Sequence, residues 1–222
     1  MMYHWAEPYP EIHKICTLFN LTEISKPSRY SYKPLQSYLQ EGPQCGLIAL
    51  AMVKGNTTRE YVNNILEYAK KKGYTKNGEI FSVDYMEKLA REFLKAKYID
   101  ICCADLQSQK MREILLNGAQ LLVPYDTNKD NSPGFHRGHK AHWCAVSGAV
   151  ETENNFFVIA RHGKAKNVGI WSLEELARSN SQLYEFSPDR KFDNLDYCLP
   201  TGGICGPCGL NERSIVIFEE EM

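Results

Sequence analysis

From Gly46 the chain reads Gly-Leu-Ile-Ala-Leu-Ala-Met-Val53, a continuous apolar run of helix formers ended by Gly55. A stretch apolar on every side predicts a helix buried on every side. The pattern then turns amphipathic. Thr57 or Thr58 caps a segment in which Tyr61, Ile65, Leu66 and Ala69 recur at helical spacing, and a Lys-rich last turn leads to Gly73. Met86, Leu89, Ala90, Phe93 and Leu94 repeat that spacing, with Ser82 or Asp84 as cap. Beyond Lys97 the runs become short. Residues 98–103 and 120–125 suit strands, with Met111, Ile114, Leu115 and Leu116 forming a helical pattern between them. Residues 142–150 and 155–160 flank Glu-Thr-Glu-Asn as a hairpin, and Gly169-Ile-Trp171 adds a strand before the capping-box pattern Ser172-Leu-Glu-Glu175. Ser214–Phe218 is a closing strand, after a loop-like tail over 187–209. The opening, through Lys33, has Pro8, Pro10 and Pro27 among aromatics and no sustained period, which predicts an arm packed on the domain. Helices followed by a mostly antiparallel sheet predict an α+β fold.

The 222 residues suit an arm over 1–38 and one domain over 39–222. Lys and Arg number 26 against 27 Asp and Glu, so the net charge of −1 gives no global reason to bind nucleic acid or an anionic membrane. No apolar run approaches the roughly 20 residues that span a bilayer. The first residues carry His4, Trp5, Glu7, Pro8 and Pro10 where a signal peptide has its apolar stretch, so a cytoplasmic location is expected. In that reducing compartment the eight Cys are expected as thiols.

The chemistry centres on Gln40-Glu-Gly-Pro-Gln-Cys45-Gly, set directly before the apolar helix. A Cys at a helix start sits beside unpaired N–H groups and the positive end of the dipole, both of which favour a thiolate nucleophile. Gly42, Pro43 and Gly46 suit close approach of backbone to a substrate carbonyl, and a Gln just upstream is a candidate donor to the oxyanion. The bland alternative is a half-buried Cys capping a core helix. A thiol nucleophile needs a base, and His142 opens the strand His-Trp-Cys-Ala-Val, where sheet hydrogen bonds would hold it rigidly. Its alternative is a solvent-facing strand end.

Gly42-Pro-Gln-Cys-Gly-Leu-Ile-Ala-Leu, His139-Lys-Ala-His142-Trp and Ser179-Asn-Ser-Gln-Leu183 together resemble the actin maturation proteases, over residues 39–218. More loosely, the set is similar to papain-like peptidases of the bacteriocin-processing type, in which Cys, His and Asp follow in that order. The resemblance implies a papain-like cysteine peptidase that removes the N-acetylated first residue, Met or Cys, from immature actin, without cofactor or metal. Cys45 would be the nucleophile, His142 the base and Gln40 the oxyanion donor, with Gln44 as the alternative. It also implies actin as the partner, alone or presented by an actin-binding protein. The strand that should end in Asp ends instead in Ala160-Arg-His-Gly163, leaving either a Cys–His dyad or Asn155, His162 or Asn180 as the third member. Arg137 and Lys140 before His142, with Lys164 and Lys166 in the next turn, would form a cationic rim for the carboxylates near the actin N-terminus.

Two further motifs compete. Cys205-Gly-Pro-Cys208 spells a thioredoxin-like dithiol, but Gly209 follows it and the next strand leaves no room for a helix. His136-x-x-His139-x-x-His142 suggests zinc, but its spacing does not put the rings on one face of a strand. The competing functions are therefore an inactive or differently specific peptidase-like binding module and a dithiol oxidoreductase.

Overall fold

A computed structural model describes residues 2–96, 98–103 and 105–218. Helix α1 spans Pro10–Leu18, and β1 spans Arg29–Tyr32. Three helices follow: α2 (Cys45–Lys54), α3 (Arg59–Lys71) and α4 (Val83–Phe93). Then come β2 (Tyr98–Cys102), α5 (Gln109–Leu116), β3 (Gln120–Thr127), the two-residue β4 (Pro133–Gly134), β5 (Ala141–Glu151), β6 (Phe156–Arg161), β7 (Gly169–Ser172), α6 (Leu173–Asn180) and β8 (Ser214–Phe218). The main path of the sheet is β2-β8-β3-β5-β6-β7, with β1 on β5 and β4 on β3, and every pairing is antiparallel. The fold is α+β.

The period of two along β5 divides the core. Trp143 and Ala145 pack against α2, α3 and α4 on one face, while Cys144 and Val146 pack against α5 and α6 on the other. Helix α2 is buried from Gly46 to Val53, as its all-round apolarity requires. Gly46 lets it lie close to the sheet, since a Cβ there would collide with Met86 and stand 3.2 Å from the Trp143 ring. Thr58 and Ser82 cap α3 and α4 by accepting the N–H groups of Tyr61 and Tyr85. Ser172 begins α6 without a side-chain cap bond, so the capping-box pattern marks that helix start but is not made.

The opening holds two elements that its pattern does not predict, α1 and β1. Strand β1 takes its conformation from its partner, pairing residues 29–32 with 148–151 of β5. Helix α1 packs Ile12, Ile15 and Cys16 against Val150, Ile159 and Val168. Its Glu11 accepts from Arg161 Nη2 at 2.5 Å and from the Val168 N–H at 2.9 Å. It thereby anchors the turn that carries His162 and Lys164.

Candidate active site

Strand β6 ends at Arg161, opposite Ala145, so β5 runs on past its neighbour towards Ala141. The start of α2 meets the sheet there. The backbone N–H groups of Trp143 and Gly46 point at the Cys45 sulfur, and Gln40 N–H donates to Gly163 O at 2.8 Å. Gly163 leaves room for that approach, because a Cβ would lie 2.8 Å from Gln40 Oε1 and 3.3 Å from Ile48. Cys45, His142, Gln40, Lys164, Glu79 and Arg190 line one cavity of about 100 Å³. Burial pushes the Cys45 thiol up, against the Trp143 N–H, the Lys164 cation and the Gly46 N–H, while Glu79 adds to the rise. The resting group is the thiol, so the helix start alone does not produce the thiolate that its position suggests.

His142 pairs with Tyr125 across β3 and β5 and is 2% exposed. Its ring stands edge-on to Tyr125 at 5.8 Å and to His162 at 5.5 Å, and His162 stacks on Trp171 at 6.0 Å. Burial, then Lys164 and His162, lower the His142 pKa well below its ordinary value, so the imidazole rests neutral. Its Nε2 is buried without a hydrogen-bond partner among the described residues. Asn180 is spent on the carbonyls of Pro124, Leu210 and Arg213, and Asn155 closes the β5–β6 turn through Thr152. Of the three suggested third members, only His162 has a ring contact with His142. The Lys164 N–H donates to His162 Nδ1 at 3.2 Å, which leaves the ring proton of neutral His162 on Nε2.

The loop leading into β5 hangs on Asp126, which sequence reasoning did not single out. This carboxylate is fully buried and accepts the N–H groups of His136, Gly138 and Lys140 and the Gln182 amide, at 2.7 to 2.9 Å. Ser179 Oγ accepts the Asp126 N–H and lies 2.7 Å from Gly134 O, to which it donates. The Ser179-Asn-Ser-Gln-Leu183 motif is therefore the scaffold that holds the loop before His142.

The basic residues separate. Lys164 lines the cavity, and exposed Lys140 lies close enough to disfavour its charge. Arg137 pairs with Glu185, and Lys166 stands in the turn, where its carbonyl accepts from Arg161. Gln44 faces Gly78, so Gln40 is the glutamine that reaches the cavity. Glu79 and Arg190 are cavity residues that the sequence did not reveal. Neither lies in a motif, and Arg190 comes from the tail read as loop.

The histidine triplet diverges. His136 bonds Asn128 and His139 bonds Glu185, both at 3.1 Å, while His142 faces Tyr125 and His162, and no metal-binding group occurs among the described residues. No disulfide joins the cysteines among the described residues. Cys205 ends a 3-10 turn over Gly203–Cys205, and no helix follows Cys208 before β8.

A family profile described as actin maturation protease-like, C-terminal domain, matches residues 35–150. The chain is 38% identical to the actin maturation protease of Drosophila melanogaster over 215 residues, covering 96% of this chain and 80% of that protein. It is 32% identical to the actin maturation protease of Mus musculus, covering 79% and 60%. The corresponding figures for the Homo sapiens actin maturation protease are 30% identity, 79% and 62%, so the chain spans less than two thirds of these mammalian relatives.

Proposed function

The chain belongs to the actin maturation protease family, and on that premise we propose that it is a cysteine peptidase that removes the N-acetylated first residue, Met or Cys, from immature actin. The observation that carries this reading is the convergence of Cys45, His142 and Gln40 on one small cavity at the start of a buried helix. The Cys45 sulfur attacks the carbonyl carbon of the acetylated residue as its proton passes to neutral His142. The oxyanion takes hydrogen bonds from the Gln40 amide and the N–H groups that open α2. Gln40 Nε2 already donates one hydrogen to Gly42 O at 2.8 Å, which fixes the amide and leaves its second hydrogen for this task. The imidazolium returns its proton to the departing amine, which is the new actin N-terminus. Water, deprotonated by His142, then splits the thioester and releases the N-acetylated amino acid.

The acidic residues beyond the scissile bond meet the cationic side of the cavity. Lys164, which lines the cavity, supplies the first of these cations, and Lys140, Arg137 and Lys166 are proposed to extend it. The proposed reaction runs in the cytoplasm, on actin alone or presented by an actin-binding protein. No helix among the described residues is long and apolar enough to cross a membrane. Mass spectrometry of an acetylated actin N-terminal peptide incubated with the protein tests this reading. The expected product is the peptide shortened by one acetylated residue, and an unchanged peptide overturns the proposal.

A further inference from the structure

Resting on that reading, we propose that Arg190 forms a carboxylate-binding subsite beside the reacting thiol, receiving an acidic side chain next to the scissile bond, with Glu79 as its placeholder in the free enzyme. Arg190 lies in a 3-10 turn over Pro188–Phe192 and lines the cavity with Cys45, His142 and Lys164. Its guanidinium sits 5.1 Å from the Phe81 ring centre, 5.6 Å from Phe186 and 5.2 Å from Tyr197. Those rings also pack on one another, so the cation is held in place before any ligand arrives. The segment is pinned further by Lys76 to Asp196 at 3.1 Å and by Asn77 to the Asp196 carbonyl at 2.8 Å.

Glu79 Oε1 engages Arg190 Nη1 at 3.1 Å, with side-chain exposures of 10% for Glu79 and 24% for Arg190. A guanidinium offers five donors in a planar fork, more than one carboxylate oxygen can use. A substrate carboxylate can therefore join Glu79 on the fork or displace it. Glu79 occupies the position as a competing anion, so its removal strengthens the preference for acidic ligands. A purely structural salt bridge has the opposite consequence, since losing either partner would only loosen the cavity. Lys164 adds a second cation on the same cavity.

The test measures binding without chemistry, on the Cys45→Ala protein, by fluorescence anisotropy of acetylated peptides that differ only in Asp or Asn after the first residue. The expected preference for Asp is about tenfold, falling to about twofold or less with Arg190→Met, partly kept by Arg190→Lys and increased by Glu79→Gln. A preference that survives Arg190→Met, or that falls with Glu79→Gln, overturns the proposal. If Arg190→Met is unfolded by circular dichroism, the Arg190→Lys and Glu79→Gln measurements decide. Failure of the Cys45 enzyme to cleave, with the Asp preference intact, removes the peptidase reading and leaves the subsite standing.

Discussion

The carboxylate of Asp126 and the side-chain amide of Gln182 meet at 2.7 Å in the interior, joining β3 to the segment after α6. Gln182 also accepts the Arg137 N–H at 2.5 Å, so both residues grip the loop that delivers His142. Asp126 is solvated by N–H dipoles. Its loss therefore leaves several buried donors unpaired at once.

Asp126→Ala is expected to cost about 3 kcal/mol or more in stability, because each stranded donor costs about 1 to 3 kcal/mol. Turnover of the peptide should fall more than about tenfold as the loop loosens around His142. Urea denaturation and peptide kinetics check both, and a loss below about 1 kcal/mol contradicts the assignment.

Cys45 should be slow to alkylate in the free enzyme at neutral pH, because burial raises its thiol above the ordinary value of 9.0. Lys164→Met removes a cation that opposes the rise, so its iodoacetamide rate profile should move to still higher pH. An unchanged profile would mean that Lys164 does not act on the sulfur.

His162 makes stability sensitive to acid. Burial first, then Lys164 and Arg161, lower its pKa from 6.5 to about 4 in the folded protein. Folding thus favours the neutral ring. Its contribution is fully present above pH 6.5 and is lost as pH falls towards 4. At about 1.36 kcal/mol per pH unit the loss is about 3 kcal/mol. His162→Phe should flatten the dependence of unfolding free energy on pH across that window, and an equally steep dependence would place the effect elsewhere.

Much of the helical layer was legible because local rules sufficed: α2 is apolar all round, and α3 and α4 carry their period between side-chain caps at Thr58 and Ser82. Strand β1 was not, since its four residues become a strand only by pairing with β5. Cys45, His142 and Gln40 could be suggested from motif and position, and the cavity brings them together. Asp126 follows the predicted strand and belongs to no motif, so its role shows only in the four donors that converge on it. Arg190 lies in a stretch without period or motif, so only the fold of the tail brings it to Cys45.

Cys205→Ser with Cys208→Ser should keep peptide cleavage within about twofold, because neither thiol lines the cavity. Leu210, which does, is carried by the same turn through its N–H bond to Ile204 O at 2.7 Å. Leu210→Ala should therefore lower kcat/KM, whereas a folded double mutant without activity would assign the thiols a role in the reaction.

The proposed peptidase activity rests on the Cys45 sulfur as its nucleophile. The direct measurement compares the parent protein with Cys45→Ala, each shown folded by circular dichroism, on an acetylated actin N-terminal peptide followed by mass spectrometry. The parent is expected to yield the shortened peptide and the free N-acetylated amino acid, and Cys45→Ala neither, because no other side chain in the cavity can replace the thiol as nucleophile. Cleavage by Cys45→Ala at the parent rate would contradict the account.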